Sequence, residues 1–411
     1  MRLWILTQFY PPEMGAAAVR LSRLARDVAD EGHEVTVITS VPNYPEGIIP
    51  PQYRSRLFYR DQLERVTVER VRVYASPKKR ARQRLANQIS FMGLAALRGT
   101  FLPRPDVILV ESHPLFVCLA GGWLKLMKRA PILLNVSDLW PESAVATGVL
   151  KEDSLLVKLA RPVEKWAYRD AAHIVGLTSG VVDGIIAVDG KPDHVTLIQN
   201  AVDLRKFCPP TEDERLAARA KFGLDPDRFT LVHVGNMSLT YDFDLILNAA
   251  AQLPAVSFHF VGGGSQFERV RQQVEARKLT NVILAGTLPH TDMPSAWASA
   301  DATLVALADH SVAGGTLPAK MYEGLATGTP IIAAIRGEGA TLLQAAEAGV
   351  VVPIGDVNAL VEAIRALAAD PERRDQLAQA GRRYAEQHLA PERVKTGYLS
   401  LLQRIARQES L

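Results

Sequence analysis

Two cysteines in 411 residues, Cys118 and Cys208, are too few and too far apart for a disulfide framework or a thiolate metal site. A reducing cytoplasm is the expected setting. Long apolar runs are missing too. None approaches the roughly 18 residues that span a bilayer. The short run that opens the chain breaks at Thr7-Gln8, so it reads as a first strand rather than an export signal. There is no low-complexity tract and no repeat at a period of about 20–50 residues, which excludes solenoids. The loop after the first strand is not G-x-G-x-x-G, which argues against a dehydrogenase. Acids are absent from one whole interval: between Glu69 and Asp106 the chain carries nine lysines and arginines and no Asp or Glu. Whatever meets that surface is expected to be anionic. Nucleic acid is not the expected partner, because interleaved aromatics and binding motifs are lacking.

What is present is globular: 48% hydrophobic and 22% charged residues leave no room for extensive disorder. The length exceeds one ordinary core, so two domains are expected. Net charge is only +3 but uneven, with 27 Lys and Arg against 21 Asp and Glu in residues 1–205. Both halves alternate strand and helix patterns. In the first, strand patterns fall at Leu3–Thr7, Val35–Thr39, Val66–Tyr74, Val107–Val110, Ile132–Val136 and Ile174–Leu177. Helical patterns cover Ala16–Glu31 and Leu155–Arg169. In the second, strand patterns fall at Thr230–Val234, Ser257–Val261, Val282–Leu284, Thr303–Leu307 and Ile331–Ala334, with a helix over Phe267–Arg277. Continuous apolar strands between helices predict parallel sheets covered on both faces, with ligands at the carboxyl ends of the strands. The fold class is α/β, two doubly wound Rossmann-like domains. Pro209-Pro210 is the candidate linker, and Pro391 to about Arg407 is a separate amphipathic helix.

The most informative stretch is Pro318-Ala-Lys320-Met-Tyr-Glu323-Gly-Leu-Ala-Thr-Gly328-Thr-Pro330. It sets a cation and an acid three residues apart at the start of a short helix. A helix N-terminus attracts phosphate, a lysine there adds a full charge, and an acid one turn on accepts hydrogen bonds from ribose hydroxyls. The combination points to a sugar nucleotide. Other loops follow strands. Tyr10-Pro-Pro-Glu13-Met-Gly15 opens a helix, and Gly15 either lets a backbone approach a ligand or belongs to an ordinary connection. In Glu111-Ser-His113-Pro114 the imidazole is placed to orient a substrate hydroxyl, or is merely structural. Asp138-Leu-Trp140-Pro141-Glu142-Ser143 is either a carbohydrate surface, carboxylates beside an indole, or a capped helix start. Phe260-Val-Gly262-Gly263-Gly264-Ser265 is a tight turn against which a base or phosphate can lie. The basic stretch from Lys78 to Arg104 carries Leu85, Ile89, Met92, Leu97 and Phe101 at helical spacing. Such a helix lies on an anionic bilayer or forms a solvated domain face. The membrane reading is favoured, with contact through Lys78, Lys79, Arg80, Arg82 and Arg84.

Over most of its length the chain resembles the GT-B glycosyltransferases of family 4, a retaining group. The matching runs are Gln8-Phe-Tyr-Pro-Pro-Glu-Met-Gly15, Gly32-His-Glu-Val-Thr-Val, Asp138-Leu-Trp-Pro-Glu-Ser143, Gln199-Asn-Ala-Val-Asp203 with Phe207, His233-Val-Gly-Asn236 and Pro318-Ala-Lys-Met-Tyr-Glu323. The Asp138–Ser143 run is similar to a subgroup making bacterial O-antigen, capsule and colanic-acid-like polysaccharides, including fucosamine transferases. The resemblance implies an N-terminal acceptor domain (1–205), a C-terminal nucleotide-sugar domain (206–388) and a last helix (389–411) returning to the first. It implies that Glu323 holds the ribose, Lys320 the diphosphate and Gly15 amides the phosphate from across the cleft. His113 would sit near the donor sugar, and Thr287-Leu288 at the base edge. Asn236, Gly263, Gly315, Thr316 and Leu317 complete the expected donor site. Glu13, Asp138, Trp140 and Glu142 form the expected acceptor site.

Two departures stand out. The family pattern puts a second Glu eight residues before Glu323, where this chain has Gly315. Many relatives carry Arg and Lys where it reads Asn236-Met-Ser-Leu-Thr-Tyr-Asp242. Leaving-group charge would then fall on Lys320 and backbone amides. The implied activity is transfer of a sugar from UDP, or GDP, to a polyprenyl-diphosphate-linked saccharide, with no metal or other cofactor, by a peripheral protein on the inner face of the cell membrane. The alternatives are a sugar-nucleotide epimerase of the same fold and a non-catalytic subunit of a glycosyltransferase complex.

Overall fold

A computed structural model describes residues 1–13, 15–44, 46–78, 81–188, 191–309, 315 and 317–407, without the side chains of Ala81 and His290. Two compact units divide it: Met1–Gln199 with Val394–Leu411, and Asn200–Arg393. Pro209-Pro210 therefore lies inside the second unit rather than between units. The reason is packing: Val202 and Phe207 are buried in the second unit's core, Val202 N–H donates to Leu389 O, and Arg382 holds the carbonyls of Leu204 and Phe207.

The first unit runs β1 (Arg2–Leu6), α1 (Ala16–Asp30), β2 (Glu34–Ser40), β3 (Phe58–Leu63), β4 (Val66–Val71), α2 (Ala81–Thr100), β5 (Val107–Glu111), α3 (Val117–Lys128), β6 (Ile132–Val136), α4 (Glu142–Ala146), α5 (Leu155–Asp170), β7 (His173–Gly176), α6 (Ser179–Val188) and β8 (Val195–Leu197). Its sheet order is β3-β4-β2-β1-β5-β6-β7-β8. The pairings are parallel except β3 with β4, which corrects the expectation of a wholly parallel sheet. The strand pattern expected over Val66–Tyr74 stops at Val71. Alternate residues of β1 face opposite cores: Trp4 and Leu6 meet α2, α3 and α5, while Leu3 and Ile5 meet α1. Period-two side-chain alternation with apolar residues on both faces gives such a doubly covered sheet.

The second unit runs α7 (Glu212–Phe222), β9 (Thr230–Val234), α8 (Phe243–Gln252), β10 (Ser257–Val261), α9 (Phe267–Ala276), β11 (Val282–Gly286), α10 (Met293–Ala298), β12 (Ala302–Ala306), α11 (Ala319–Ala326), β13 (Ile331–Ala334), α12 (Glu338–Ala346), β14 (Gly349–Val352), α13 (Val357–Ala369) and α14 (Pro371–His388). The sheet order is β11-β10-β9-β12-β13-β14, all parallel. Helix α15 (Pro391–Arg407) belongs to the first unit from Val394 on. There Tyr398, Leu402 and Ile405 are buried with Leu3, Ile5 and Leu109. Among the described residues, no helix is long and apolar enough to cross a membrane.

Strand order reverses twice in a way that matters. In the first sheet β1 lies between β2 and β5; in the second β9 lies between β10 and β12. The loops leaving such a strand pair diverge to opposite faces and open a crevice at the carboxyl ends.

Candidate active site

In the second unit, the loops leaving β9, β10 and β11 and the start of α11 converge. Gly235 follows β9 at φ +116°, and a Cβ on it would lie 3.6 Å from Lys320 Cε. Gly262, at φ +141°, has its Cα so close to β9 that a Cβ would lie 1.9 Å from Gly235 O. A side chain at Gly263 would meet Thr287 Oγ1 at 2.6 Å, and one at Gly264 would meet Asn236 Oδ1 at 2.3 Å. Glycine is required here by close approach and by backbone conformation together. The arrangement brings Asn236, Gly263 and Thr287 into one cluster beside Lys320, with Asn236 and Thr287 exposed.

Lys320 lies in the first turn of α11 and is buried. Its Nζ donates to His233 Nε2 at 2.9 Å and stands 3.9 Å from the Tyr241 ring centroid. His233 Nδ1 lies 3.3 Å from Leu304 O, which fixes the tautomer: Nδ1–H donates to that carbonyl and the Nε2 lone pair faces the amine. Burial drives the Lys320 pKa well below its ordinary 10.5, partly offset by the nearby Glu323 charge. Burial, then the Lys320 charge, drives His233 far down, so the imidazole is neutral. Glu323 accepts from Trp297 Nε1 at 2.9 Å through Oε2. Its pKa is raised by burial, opposed by the Trp297 hydrogen bond and by the charges of Lys320 and Lys206. One helix turn thus carries a buried amine whose charged form burial disfavours and a carboxylate held by one oxygen, at the switch point of β9 and β12. Leu288 and Leu317 pack against the core beneath. Gly315 is half-buried, and Thr316 lies outside the described residues.

Sequence reasoning named Lys320 and Glu323 but missed His233, Tyr241, Trp297 and Lys206 as site residues. His233 and Lys206 fall within or beside the quoted motifs His233–Asn236 and Gln199–Phe207, which was the available signal.

In the first unit, Gly15 caps α1 with open space where a Cβ would stand. Glu13 is buried: Oε1 accepts from the N–H groups of Asn43 (2.8 Å) and Tyr44 (2.9 Å), and Oε2 has no protein partner. Burial raises its pKa, opposed by those amides. Gln8 Nε2 donates to Asn87, leaving a second buried acceptor, Gln8 Oε1, open. His113 is exposed after β5, next to the buried Glu111, whose carboxylate takes Arg20 (2.8 Å), Asn135 (2.6 Å) and Ser137 (2.7 Å). The Asp138 run contains no side-chain cap. Pro141, not Asp138, precedes α4, and Asp138 accepts from the Ser143 hydroxyl at 2.8 Å. Glu142 is bridged to Arg161 at 3.0 Å, and half-buried Trp140 packs edge-on against Phe116. Lys78 is exposed before α2 and Arg82 and Arg84 are exposed in its first turn, whereas Lys79 and Arg80 lie outside the described residues.

Two Rossmann-like units, each with a crevice at its sheet's switch point, define the GT-B architecture. Comparison with known proteins makes the assignment. Residues 15–201 match the glycosyl transferase 4-like domain and residues 214–384 match the glycosyl transferases group 1 family. The chain belongs to the group 1 glycosyltransferases, with a 4-like N-terminal domain, and is an enzyme of that class. It is 27% identical to a 2-deoxystreptamine N-acetyl-D-glucosaminyltransferase of Streptomyces fradiae, over 91% of this chain and 90% of that one. It is 23% identical to the putative colanic acid biosynthesis glycosyl transferase WcaI of Escherichia coli K12, over 97% and 99%. The structure of Anabaena HepE in complex with UDP and glucose superposes with a TM-score of 0.75 at 16% identity, over 98% and 99%, which shows the shared fold.

Proposed function

We propose that the enzyme moves a sugar from a nucleoside diphosphate, UDP in preference to GDP, to a polyprenyl-diphosphate-linked saccharide in bacterial surface-polysaccharide assembly, with retention at the anomeric carbon. The observation that carries this reading is the pairing of Lys320 and Glu323 on the first turns of α11, beside the glycine loop after β10. A diphosphate adds to the partial counter-charge that Glu323 gives the buried amine and favours its charged form. Glu323 Oε1 is left to accept from ribose hydroxyls while Oε2 stays on Trp297. The UDP named for HepE and the near full-length likeness to the colanic acid enzyme support the donor and the pathway class.

In the reaction, the bond between the anomeric carbon and the phosphate oxygen breaks through an oxocarbenium-like transition state. Lys320 and the free N–H groups at the start of α11 stabilise the departing charge. The acceptor hydroxyl attacks from the face the diphosphate leaves and passes its proton to the departing oxygen. The reading assigns no metal to these steps. The enzyme works as a peripheral protein on the cytoplasmic membrane face, with the basic approach to α2 towards anionic headgroups. No specific observation favours the epimerase or the non-catalytic reading.

The test is a thermal-shift screen with UDP, GDP and ADP, followed by product NMR. UDP is expected to raise the melting point most, since a ligand bound only by the folded state stabilises it, and the product to keep the donor's anomeric configuration. No shift with any nucleotide, or an inverted product, contradicts the reading.

A further inference from the structure

Three neighbouring helices of the first unit turn apolar side chains outward. Helix α3 lies between α2 and α5. Trp123 Nε1 donates to Thr100 Oγ1 of α2 at 3.0 Å, while Lys125 pairs with Asp170 of α5 at 2.7 Å and Gly122 abuts the Trp166 ring. Helix α2 turns Phe91 and Ala95 into the core and leaves Leu97 outside, and Phe101, just past its end, is 76% exposed. Helix α3 buries Val117, Ala120 and Leu124 but exposes Trp123 and, at 68%, Leu126. Helix α5 buries Val157, Ala160 and Ala167 and exposes Leu159 and Trp166. An ordinary solvated helix face is polar at such positions, and a contiguous exposed apolar patch marks a docking surface.

Charge identifies what docks. Neither α2 nor α3 contains an acid. The two acids of α5 do not offer free negative charge: Glu164 is buried against Tyr168 Oη, and Asp170 is held by Lys125. Exposed Arg104, Arg129 and Lys158 stand around the patch. Indole and aliphatic groups bordered by cations, with both acids of α5 engaged, match the boundary between anionic headgroups and acyl chains. A second copy of this face would oppose like charges. We propose that α2, α3 and α5 form one continuous face that seats on an anionic bilayer, with Phe101, Leu126 and Leu159 entering the headgroup boundary. This deepens the peripheral-membrane reading above and rests on it, but gives the main contact to the apolar face rather than to the basic approach to α2.

Co-sedimentation with vesicles of phosphatidylethanolamine containing about 30% phosphatidylglycerol tests it. The L126D/L159D variant is expected to lose binding by about tenfold or more, because a buried aliphatic contact becomes a repelled anion. Its UDP-induced thermal shift should be unchanged, which shows that it is folded. Wild-type sedimentation by that variant overturns the proposal while leaving peripheral binding intact. If R82A/R84A abolishes sedimentation and L126D/L159D does not, the contact belongs to the start of α2. If the wild type does not sediment, both readings fall. If the wild type is a dimer that L126D/L159D dissociates, the occupant is a second copy and the proposal is wrong.

Discussion

On the proposed reading the chemistry turns on Lys320, and burial of its amine fixes the sign of its pH dependence. A lysine whose folded pKa lies below 10.5 binds fewer protons in the folded than in the unfolded state across the interval between the two values. Stability of the unliganded protein should therefore rise with pH through that interval, by up to about 1.4 kcal/mol per pH unit. The rise ends at 10.5, where the unfolded chain also loses the proton. K320M should remove this slope in melting curves taken against pH; an unchanged slope means that another group carries it. H233F leaves the amine without its 2.9 Å acceptor and should weaken UDP binding by roughly tenfold, the scale of one hydrogen bond to a charged group. Equal affinity would show that His233 does not position Lys320. These partners also mark the limit of reading the site from sequence. Lys320 and Glu323 were legible because one helix turn holds both. His233 lies 87 residues from Lys320 and Trp297 26 from Glu323, so only the strand order brings them there.

Among the elements, those with strong periodicity were the legible ones: α1, α5, α9 and α15 fall where the apolar spacing put them, to within a residue or so. Strand β3 was not foreseen. Its sequence, Phe-Tyr-Arg-Asp-Gln-Leu, is half exposed with no fully buried residue, and charged residues on an edge strand are how sheets avoid further pairing. The apolar residues expected on one face of the α2 region divide: Ile89, Leu97 and Phe101 are exposed, whereas Met92 packs against the core that Phe91 and Ala95 enter. Two substitutions test the element-level account. G262A forces a methyl group onto Gly235 O at a φ that favours glycine, and should destabilise the protein by about 2–3 kcal/mol in urea unfolding while also weakening UDP binding. L402A empties a fully buried site on α15 and should cost about 2–5 kcal/mol, with UDP affinity in the second unit unaffected. Near-neutral stability in either variant would show that the close approach, or the α15 packing, is looser than described.

Across the whole molecule, alternating strand and helix patterns were enough to foresee two doubly wound units and the carboxyl-end location of the candidate site. Pro209-Pro210 does not mark the border between units, because a proline pair signals a break in local structure and not where packing changes hands. Residues 200–207 look like connection in sequence, yet Val202 and Phe207 are core of the second unit. That packing has a consequence for the donor site: it brings the charge of Lys206 to bear on Glu323. Lys206 is a candidate for part of the positive charge that the Asn236–Asp242 stretch lacks. K206M should weaken UDP binding less than K320M does, since Lys206 is partly solvated and its field is screened. A larger loss in K206M would reverse the order of the two cations.

The account rests on Lys320 holding a diphosphate, and calorimetric titration of UDP into wild-type protein and K320M tests that most directly. The wild type should bind, and K320M should bind at least about a hundredfold more weakly, on the scale of one preorganised charge contact. Its unliganded melting point should be equal or higher, because a buried amine has been replaced by an apolar chain. Equal UDP affinity in the two proteins would contradict the assignment of the site.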